Sequence, residues 1–304
     1  MALFGDGDEI AKLGETHAGN CMGCYAPDQG SGRIRRENKT VLDEILPPEP
    51  IKAVMAIEIL SSPQIERMRR AGRAAAETLA LVGSQLRPGM CTADIDRIVR
   101  ADTARRGGRP SQLGYKGFPA AVCTSRNQVV CHGIPNERDV LSDGDIVNVD
   151  VTTLLDGFHG DTSATFIVGQ PTAEAKRIVD IARRCRDAGI AVIREGARLG
   201  DIGAAIEELA RKERVGVVRE LGGHGIGRNM HAEPHVPHSG RRGTGPRLKA
   251  GMAITVEPMV NLGGDAVRFL DDGWTVVTAD GSLSAQFEHT VVVTRNGHEI
   301  LTLA

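Results

Sequence analysis

Aromatic side chains are scarce in this chain. One Trp, two Tyr and six Phe make up 3% of 304 residues, so any place where several gather is informative. Long apolar runs are also lacking, and none approaches the ~18 residues that a membrane-spanning helix needs. The N-terminal stretch MALFGDGDEI is acidic and has neither the basic nor the apolar region of a secretory signal. The expectation is therefore a cytoplasmic protein with no membrane partner. A net charge of −2 gives no footing for a nucleic-acid partner. The six cysteines are dispersed, apart from Cys21-x-x-Cys24, and read as reduced thiols rather than a disulfide framework. What is present is ordinary for a globular protein, with 41% hydrophobic and 25% charged residues. The length suits one large domain or two small ones.

Residues 1–50, within an extension set at 1–57, differ from the rest. They are rich in Gly, Asp and Arg and end in a Pro-rich stretch, Leu46-Pro47-Pro48-Glu49-Pro50. This reads as an N-terminal extension with a linker. His17, Cys21 and Cys24 supply three of the four ligands that a closed zinc site needs, so a chance CxxC is the simpler account. The Pro47-x-x-Pro50 spacing suits an SH3-like partner. Regular structure is expected over residues 58–304. A helix starts with Ser62 as N-cap and Pro63 as its first residue, carries Ile65, Met68, Gly72, Ala75, Leu79 and Val82 on one face, and ends near Gly83. Thr92 opens a second helix with Ile95, Ile98 and Val99 inward. Strands are expected at Ala120–Thr124, Ile146–Val151 and Ala164–Val168, helices at about 172–194 and 200–213, and strands with loops from Val215 onward.

The order helix, helix, strands thus occurs twice. Gly89-x-x-x-x-Asp94-Ile95 recurs as Gly196-x-x-x-x-Asp201-Ile202, and Leu141-x-x-Gly144-x-x-x-x-Val149-Asp150 recurs as Leu248-x-x-Gly251-x-x-x-x-Val256-Glu257. One ungapped shift of 107 positions aligns both segments, which favours an internal duplication over coincidence. Each half places an acid in an equivalent strand, Asp150 or Glu257. A second acid stands before another strand-like run in each half, Asp161 before Ala164–Val168 and Glu288 before Val291–Val293.

An acid in so apolar a strand must be paired or bind a metal to offset its desolvation. In Asn148-Val149-Asp150-Val151, the valines face one way and Asp150 the other. His224, inside Gly222-Gly223-His224-Gly225-Ile226-Gly227, is the best imidazole candidate, since the flanking glycines let other groups approach closely. Carboxylates with imidazole suit Mn, Fe, Co or Zn. Four carboxylates and a neutral His carry a charge that two divalent ions would balance, and two ions ~3.5–4 Å apart can clamp a scissile carbonyl. His132 and His231 flank these elements and could donate to a developing oxyanion. His159, His235, His238, His289 and His298 read as structural or surface histidines.

These residues resemble a known family. Asp150, Asp161, His224, Glu257 and Glu288, with VCHGIP at 130–135, DGDIVNVDV at 143–151, DGFHGDTSATF at 156–166, GHGIG at 223–227 and TVEPM at 255–259, are similar to the motifs of type I methionine aminopeptidases. The resemblance covers roughly residues 58–303. It implies an α/β pita-bread fold, two pseudo-symmetric helix-helix-strands halves around a central dimetal cleft. It also implies that Asp150 and Asp161 hold one metal, that Asp161, His224, Glu257 and Glu288 hold the other, and that Asp161 and Glu288 bridge. Glu257 would shuttle a proton, His231 would stabilise the tetrahedral intermediate, and His132 would contact the substrate backbone. Tyr115, Phe118, Cys123, His132, Met230 and Trp274 would line a methionine pocket, where sulfur meets aromatic rings. Phe118 stands where many relatives have Tyr, and Met230 where many have Phe. The Pro-rich extension is similar to that of a bacterial subgroup, but its CxxC is not part of that pattern.

The implied substrates are the N-termini of nascent polypeptides, with the ribosome as an implied partner. Two other readings share parts of this pattern. An X-Pro aminopeptidase or dipeptidase would keep the five ligands without the CHGIP context. A non-catalytic ribosome-associated relative would have lost ligands.

Overall fold

The computed structural model describes residues 57–304. His17, Cys21, Cys24 and the Pro47-x-x-Pro50 spacing lie outside the described residues. Helix α1 (Ser62–Gln85) begins one residue earlier than the sequence suggests. Ser61, not Ser62, is the N-cap, because the Gln64 side chain reaches back to accept the Ser61 backbone N–H at 2.7 Å. Pro63 sits in the first turn, where a missing N–H costs nothing. Helix α2 (Thr92–Arg105) buries Ile95 and Val99, as their spacing predicts.

Strands β1 (Arg109–Pro110), β2 (Cys123–Arg126) and β3 (Val129–Cys131) follow. The expected strand Ala120–Thr124 is extended only from Cys123. Upstream, the Ala121 N–H donates to the Asp96 carboxylate of α2 at 2.6 Å instead of to a neighbouring strand. Strands β4 (Ile146–Leu155) and β5 (Phe158–Ile167) pair along their whole length. The connection is Asp156-Gly157, both with positive φ, the two-residue loop whose twist matches a hairpin. Asp161 therefore lies in mid-strand, not at a strand start as expected, because the Asp-Gly turn begins pairing at Phe158.

Helices α3 (Ala173–Ala191) and α4 (Leu199–Glu213) come next, then β6 (Gly216–Val217), β7 (Gly222–Gly225), β8 (Ala232–Pro237), β9 (Ala253–Val256) and β10 (Met259–Asn261). The last strands are β11 (Val267–Phe269), β12 (Val276–Thr278), β13 (Ser284–Gln286), β14 (Glu288–Thr294) and β15 (Gly297–Ile300). The main sheet has nine strands, in the order β1-β4-β5-β14-β9-β7-β8, with β2 beside β4 and β15 beside β14. Among the described residues, no helix is long and apolar enough to cross a membrane.

The duplication read from the sequence recurs in hydrogen bonds. Gly89 N–H donates to the Leu141 carbonyl and Gly196 N–H to that of Leu248; Leu141 N–H donates to Met90 and Leu248 N–H to Ala197. Isolated bridges join Cys91 to Val140 and Arg198 to Arg247. Every member of these pairs is shifted by the same 107 positions. Each half has its own core under its own helix pair. Ala75, Leu79, Val82, Ile95 and Val99 of α1 and α2 pack on Val147, Val149 and Val151 of β4. Ile178, Ile181, Ile202 and Ile206 of α3 and α4 pack with Ile254, Val256, Val291 and Val293 of β9 and β14. Because strand side chains alternate, the residues between these apolar positions face away from the helices.

Helix α1 lies unusually close to β5. A Cβ added at Gly160 would collide with the Gly72 backbone, and one at Gly72 would collide with the Leu301 carbonyl. Gly160→Ala should therefore destabilise the protein by about 1–3 kcal/mol, as overpacking of a tight contact does. Urea unfolding checks this, and an unchanged midpoint would mean that the helix has room to retreat.

Candidate metal centre

Five adjacent strands of the main sheet each bring one predicted ligand to the face opposite the helices. Asp150 lies in β4, Asp161 in β5, Glu288 opens β14, Glu257 directly follows β9, and His224 lies in β7. Ligand atoms of Asp161, His224 and Glu288 all lie within 4.8 Å of one another. His224 Nε2 is 3.6 Å from Glu257 Oε1 and 3.8 Å from Asp161 Oδ2. Asp161 and Glu288 are buried at the floor, while Asp150, His224 and Glu257 are partly open to the cleft.

Local chemistry orients each ligand. His224 Nδ1 lies 3.0 Å from the Gly225 carbonyl, which can only accept, so Nδ1 carries the proton and the Nε2 lone pair faces the cluster. Burial lowers its pKa to about 4, which keeps the ring neutral near pH 7. Its glycine neighbours are steric necessities. A Cβ at Gly223 would strike the Thr255 carbonyl, and one at Gly225 the Glu233 carbonyl. Thr255 Oγ1 accepts the His224 N–H at 2.9 Å and donates to Glu257 Oε1 at 2.6 Å, tying two ligands through one hydroxyl. Thr152 Oγ1 donates to Asp161 Oδ1 at 2.7 Å. The Asp161 backbone N–H donates to Thr290 Oγ1, and that hydroxyl donates to the Asp161 carbonyl. Gln112 Nε2 donates to the Asp150 carbonyl at 2.8 Å and to Oδ1 at 3.3 Å. Gln286 Nε2 donates to Glu257 Oε2 at 3.2 Å.

None of these threonines and glutamines was singled out in the sequence. The threonines carry a period-two signal: Asp150-Val151-Thr152, Thr255-Val256-Glu257 and Glu288-His289-Thr290 each place a hydroxyl on the same strand face as an acid. The glutamines carry no comparable signal, since their positions depend on how the strands assemble. His238, read as structural, is buried and accepts the Glu257 backbone N–H through Nε2 at 3.1 Å. His159, His289 and His298 bond to Ser111, Thr302 and the Ile193 carbonyl.

The electrostatics call for cations. Burial raises Asp161 to about 6 and Glu257 to about 8. Burial followed by the neighbouring carboxylates pushes Asp150 and Glu288 well above the carboxylate range. Glu288 Oε1 is buried with no hydrogen-bond partner. Four crowded carboxylates, one of them with an orphaned oxygen, and one neutral imidazole lone pair form a donor set that fits divalent metal.

Beside the cluster lies an apolar wall. Phe118, Ala120 and Cys123 form a buried group with Ile134 and Trp274 against it. The Phe118 and Trp274 rings meet edge to face at 5.1 Å, and the His132 ring is 6.2 Å from Trp274. Cys123 is paired directly across from Asp150, so this wall abuts the carboxylates. Burial raises the Cys123 thiol well above its usual range and keeps it protonated. His231 is exposed at the cleft mouth, its ring 4.2 Å from that of His224 and 5.1 Å from that of Tyr115. Lost hydration, then the nearby His224, His132 and Lys116, hold its pKa below the ordinary histidine value. Tyr115 thus packs on the His231 side of the cleft. Met230 is buried immediately before His231.

A sheet that gathers four acids and a histidine beside an apolar wall defines a metal-dependent hydrolase. Residues 66–295 match the metallopeptidase family M24, and the chain belongs to that family. It is 51% identical over 251 residues to methionine aminopeptidase B of Synechocystis sp., covering 81% of this chain and 92% of the relative. It is 50% identical over 250 residues to methionine aminopeptidase of Escherichia coli (strain K12), covering 82% and 95%. The crystal structure of methionine aminopeptidase from Rickettsia prowazekii superimposes with a TM-score of 0.80 at 47% identity, covering 81% of this chain and all of that one. A prolidase from Pyrococcus furiosus, at 18% identity and TM-score 0.63, shares the fold. The fold is the α/β pita-bread that the motifs imply, and divalent metal is the cofactor.

Metal-free protein should reveal the strained acids. Glu257 has its folded-state pKa raised from 4.5 to about 8. Its contribution to stability is full below pH ~4.5 and is lost as pH rises toward 8, because folding must take up a proton. Glu257→Gln removes that cost. The melting temperature of metal-free Glu257→Gln, relative to metal-free wild type, should therefore climb between about pH 5 and pH 8. A difference that stays flat with pH would show that Glu257 does not feel the burial described.

Proposed function

We propose that this protein removes the N-terminal methionine from nascent polypeptides whose next residue is small. The observation that carries the reading is the apolar wall of Phe118, Cys123 and Trp274 abutting Asp150. It offers a methionine side chain polarizable contacts one strand away from the carboxylate cluster. The identity of about half the aligned residues with methionine aminopeptidases supports it. The wall favours this reading over an X-Pro peptidase, and a complete ligand set favours it over a non-catalytic relative.

In this reading Asp150, Asp161, His224, Glu257 and Glu288 would hold two divalent ions. Bound metal would polarise the scissile carbonyl and make water nucleophilic at neutral pH. Tyr115, Phe118, Cys123, His132, Met230 and Trp274 seat the methionine side chain and fix the reacting bond. Glu257, whose carboxyl is set by Thr255 and Gln286, takes a proton and passes it to the leaving amine. His231, at the cleft mouth, donates to the oxyanion, and His132 holds the substrate backbone. The Thr152, Thr255 and Gln112 bonds keep the acids from swinging apart.

Residues 58–304 form the catalytic domain in this proposal and 1–57 an extension, where Pro47-x-x-Pro50 suits an SH3-like partner. A cytoplasmic location and work at the ribosome agree with nascent chains as substrate.

Chelation should abolish cleavage of a Met-Ala-Ser peptide, and added Mn, Co, Fe or Zn should restore it. Asp161→Asn should lower kcat by orders of magnitude even in saturating metal. Steady-state kinetics checks both, and a near-normal rate for the variant would remove Asp161 from the ligand set. On specificity, Met-Ala peptides should be cleaved far faster than Leu-Ala or Ala-Pro peptides. Equal rates across that panel would mean a general aminopeptidase.

A further inference from the structure

A rigid turn carries an unpaired cation to the rim of the cleft. Residues Gly114 to Gly117 form it, with Gly114 at φ 79°, Lys116 at 47° and Gly117 at 89°. A left-handed lysine is strained relative to glycine, so the surrounding structure must hold it there. Three backbone bonds do so: Tyr115 N–H to Gln112 O at 3.0 Å, Gly114 N–H to Phe118 O at 2.8 Å, and Phe118 N–H to Tyr115 O at 2.9 Å. Both ends of the turn are anchored in the site. Gln112 bonds the Asp150 carbonyl and carboxylate, and Phe118 packs in the apolar wall.

Lys116 is exposed and its Nζ stands 5.5 Å from the Tyr115 ring centroid. That ring is 5.1 Å from His231. Among the described residues, no carboxylate lies within ion-pair distance of Lys116, so its charge is open to a ligand; Arg97 and Arg105, of like exposure, are paired. In the methionine-excision reading His231 stands at the scissile carbonyl, which places this rim beside the residues that follow the methionine. Laid end to end, the ring-to-ring and ring-to-ammonium steps span at most about three extended residues at ~3.3–3.6 Å each.

We propose that Lys116 is a specificity residue that selects peptides with an acidic side chain two or three positions beyond the scissile bond. The inference rests on the methionine-excision reading. An exposed pair of this kind changes rates modestly and loses its effect in salt.

The test uses metal-loaded full-length enzyme and three peptides, Met-Ala-Ala-Glu-Ala, Met-Ala-Ala-Gln-Ala and Met-Ala-Ala-Lys-Ala. Each rate is expressed relative to the Gln peptide for the same enzyme, so an overall loss of activity cancels. Wild type should favour Glu over Lys by about two- to fivefold in kcat/KM at low salt, with the preference shrinking at 0.5 M salt. Lys116→Asn, a residue that tolerates the left-handed backbone, should flatten the ratio. Lys116→Glu should invert it, and Lys116→Arg should preserve it. A Glu:Lys ratio that is the same in all four enzymes would overturn the assignment. Failure of wild type to cleave even the Gln peptide would instead strike the methionine-excision reading.

Discussion

Mutual repulsion among four crowded carboxylates, two buried and two partly open, is the constraint around which this molecule is organised. Asp161 and Glu288 lie on the floor of a sheet, with Asp150 and Glu257 just above. Placing such groups together out of water costs several kcal/mol per ion unless opposite charge is supplied. No lysine or arginine among the described residues pairs with them; the basic neighbour within reach is His224, which burial keeps neutral. Without metal the acids answer by holding protons; bound cations would displace those protons, and the hydroxyl and amide bonds of Thr152, Thr255, Gln112 and Gln286 hold the acids in position for them.

The duplicated architecture makes this arrangement affordable in packing terms. The central β5–β14 pair joins the two halves, and β4 and β9 flank it on either side. In each half, an apolar row faces a helix pair and an acidic row faces the cleft. The helices stabilise the sheet from behind, so the metal face is free of packing duties. Its threonines, short and β-branched, suit a strand and still offer a hydroxyl to the next ligand.

Much of this was legible in the sequence, for reasons that differ by element. The four candidate acids stood out because acids in apolar strands are costly, and His224 because glycines flank it; the shift of 107 positions survived because the same turn and bridge geometry is needed twice. The mid-strand position of Asp161 was missed by weighing the residues after it and overlooking Asp156-Gly157 as a hairpin turn. The Ala120–Val122 segment looked like strand by composition, but its Ala121 N–H is taken by Asp96 of helix α2, 25 residues earlier. Gln112 and Gln286 were invisible for a related reason: a side chain that bonds a distant ligand leaves no local pattern. The pairing of Tyr115 with His231 likewise depends on how two loops meet.

Because each candidate ligand is carried by a different strand or its end, with Asp150 and Glu288 separated by nearly half the chain, no short fragment holds the full set of donors. The ion recognises only the assembled sheet, so its binding energy counts wholly toward the native state and hardly at all toward the denatured one. Occupancy of the cleft thereby doubles as a proofreading signal for folding: a chain with one strand out of register would lack a donor and hold its cations more weakly.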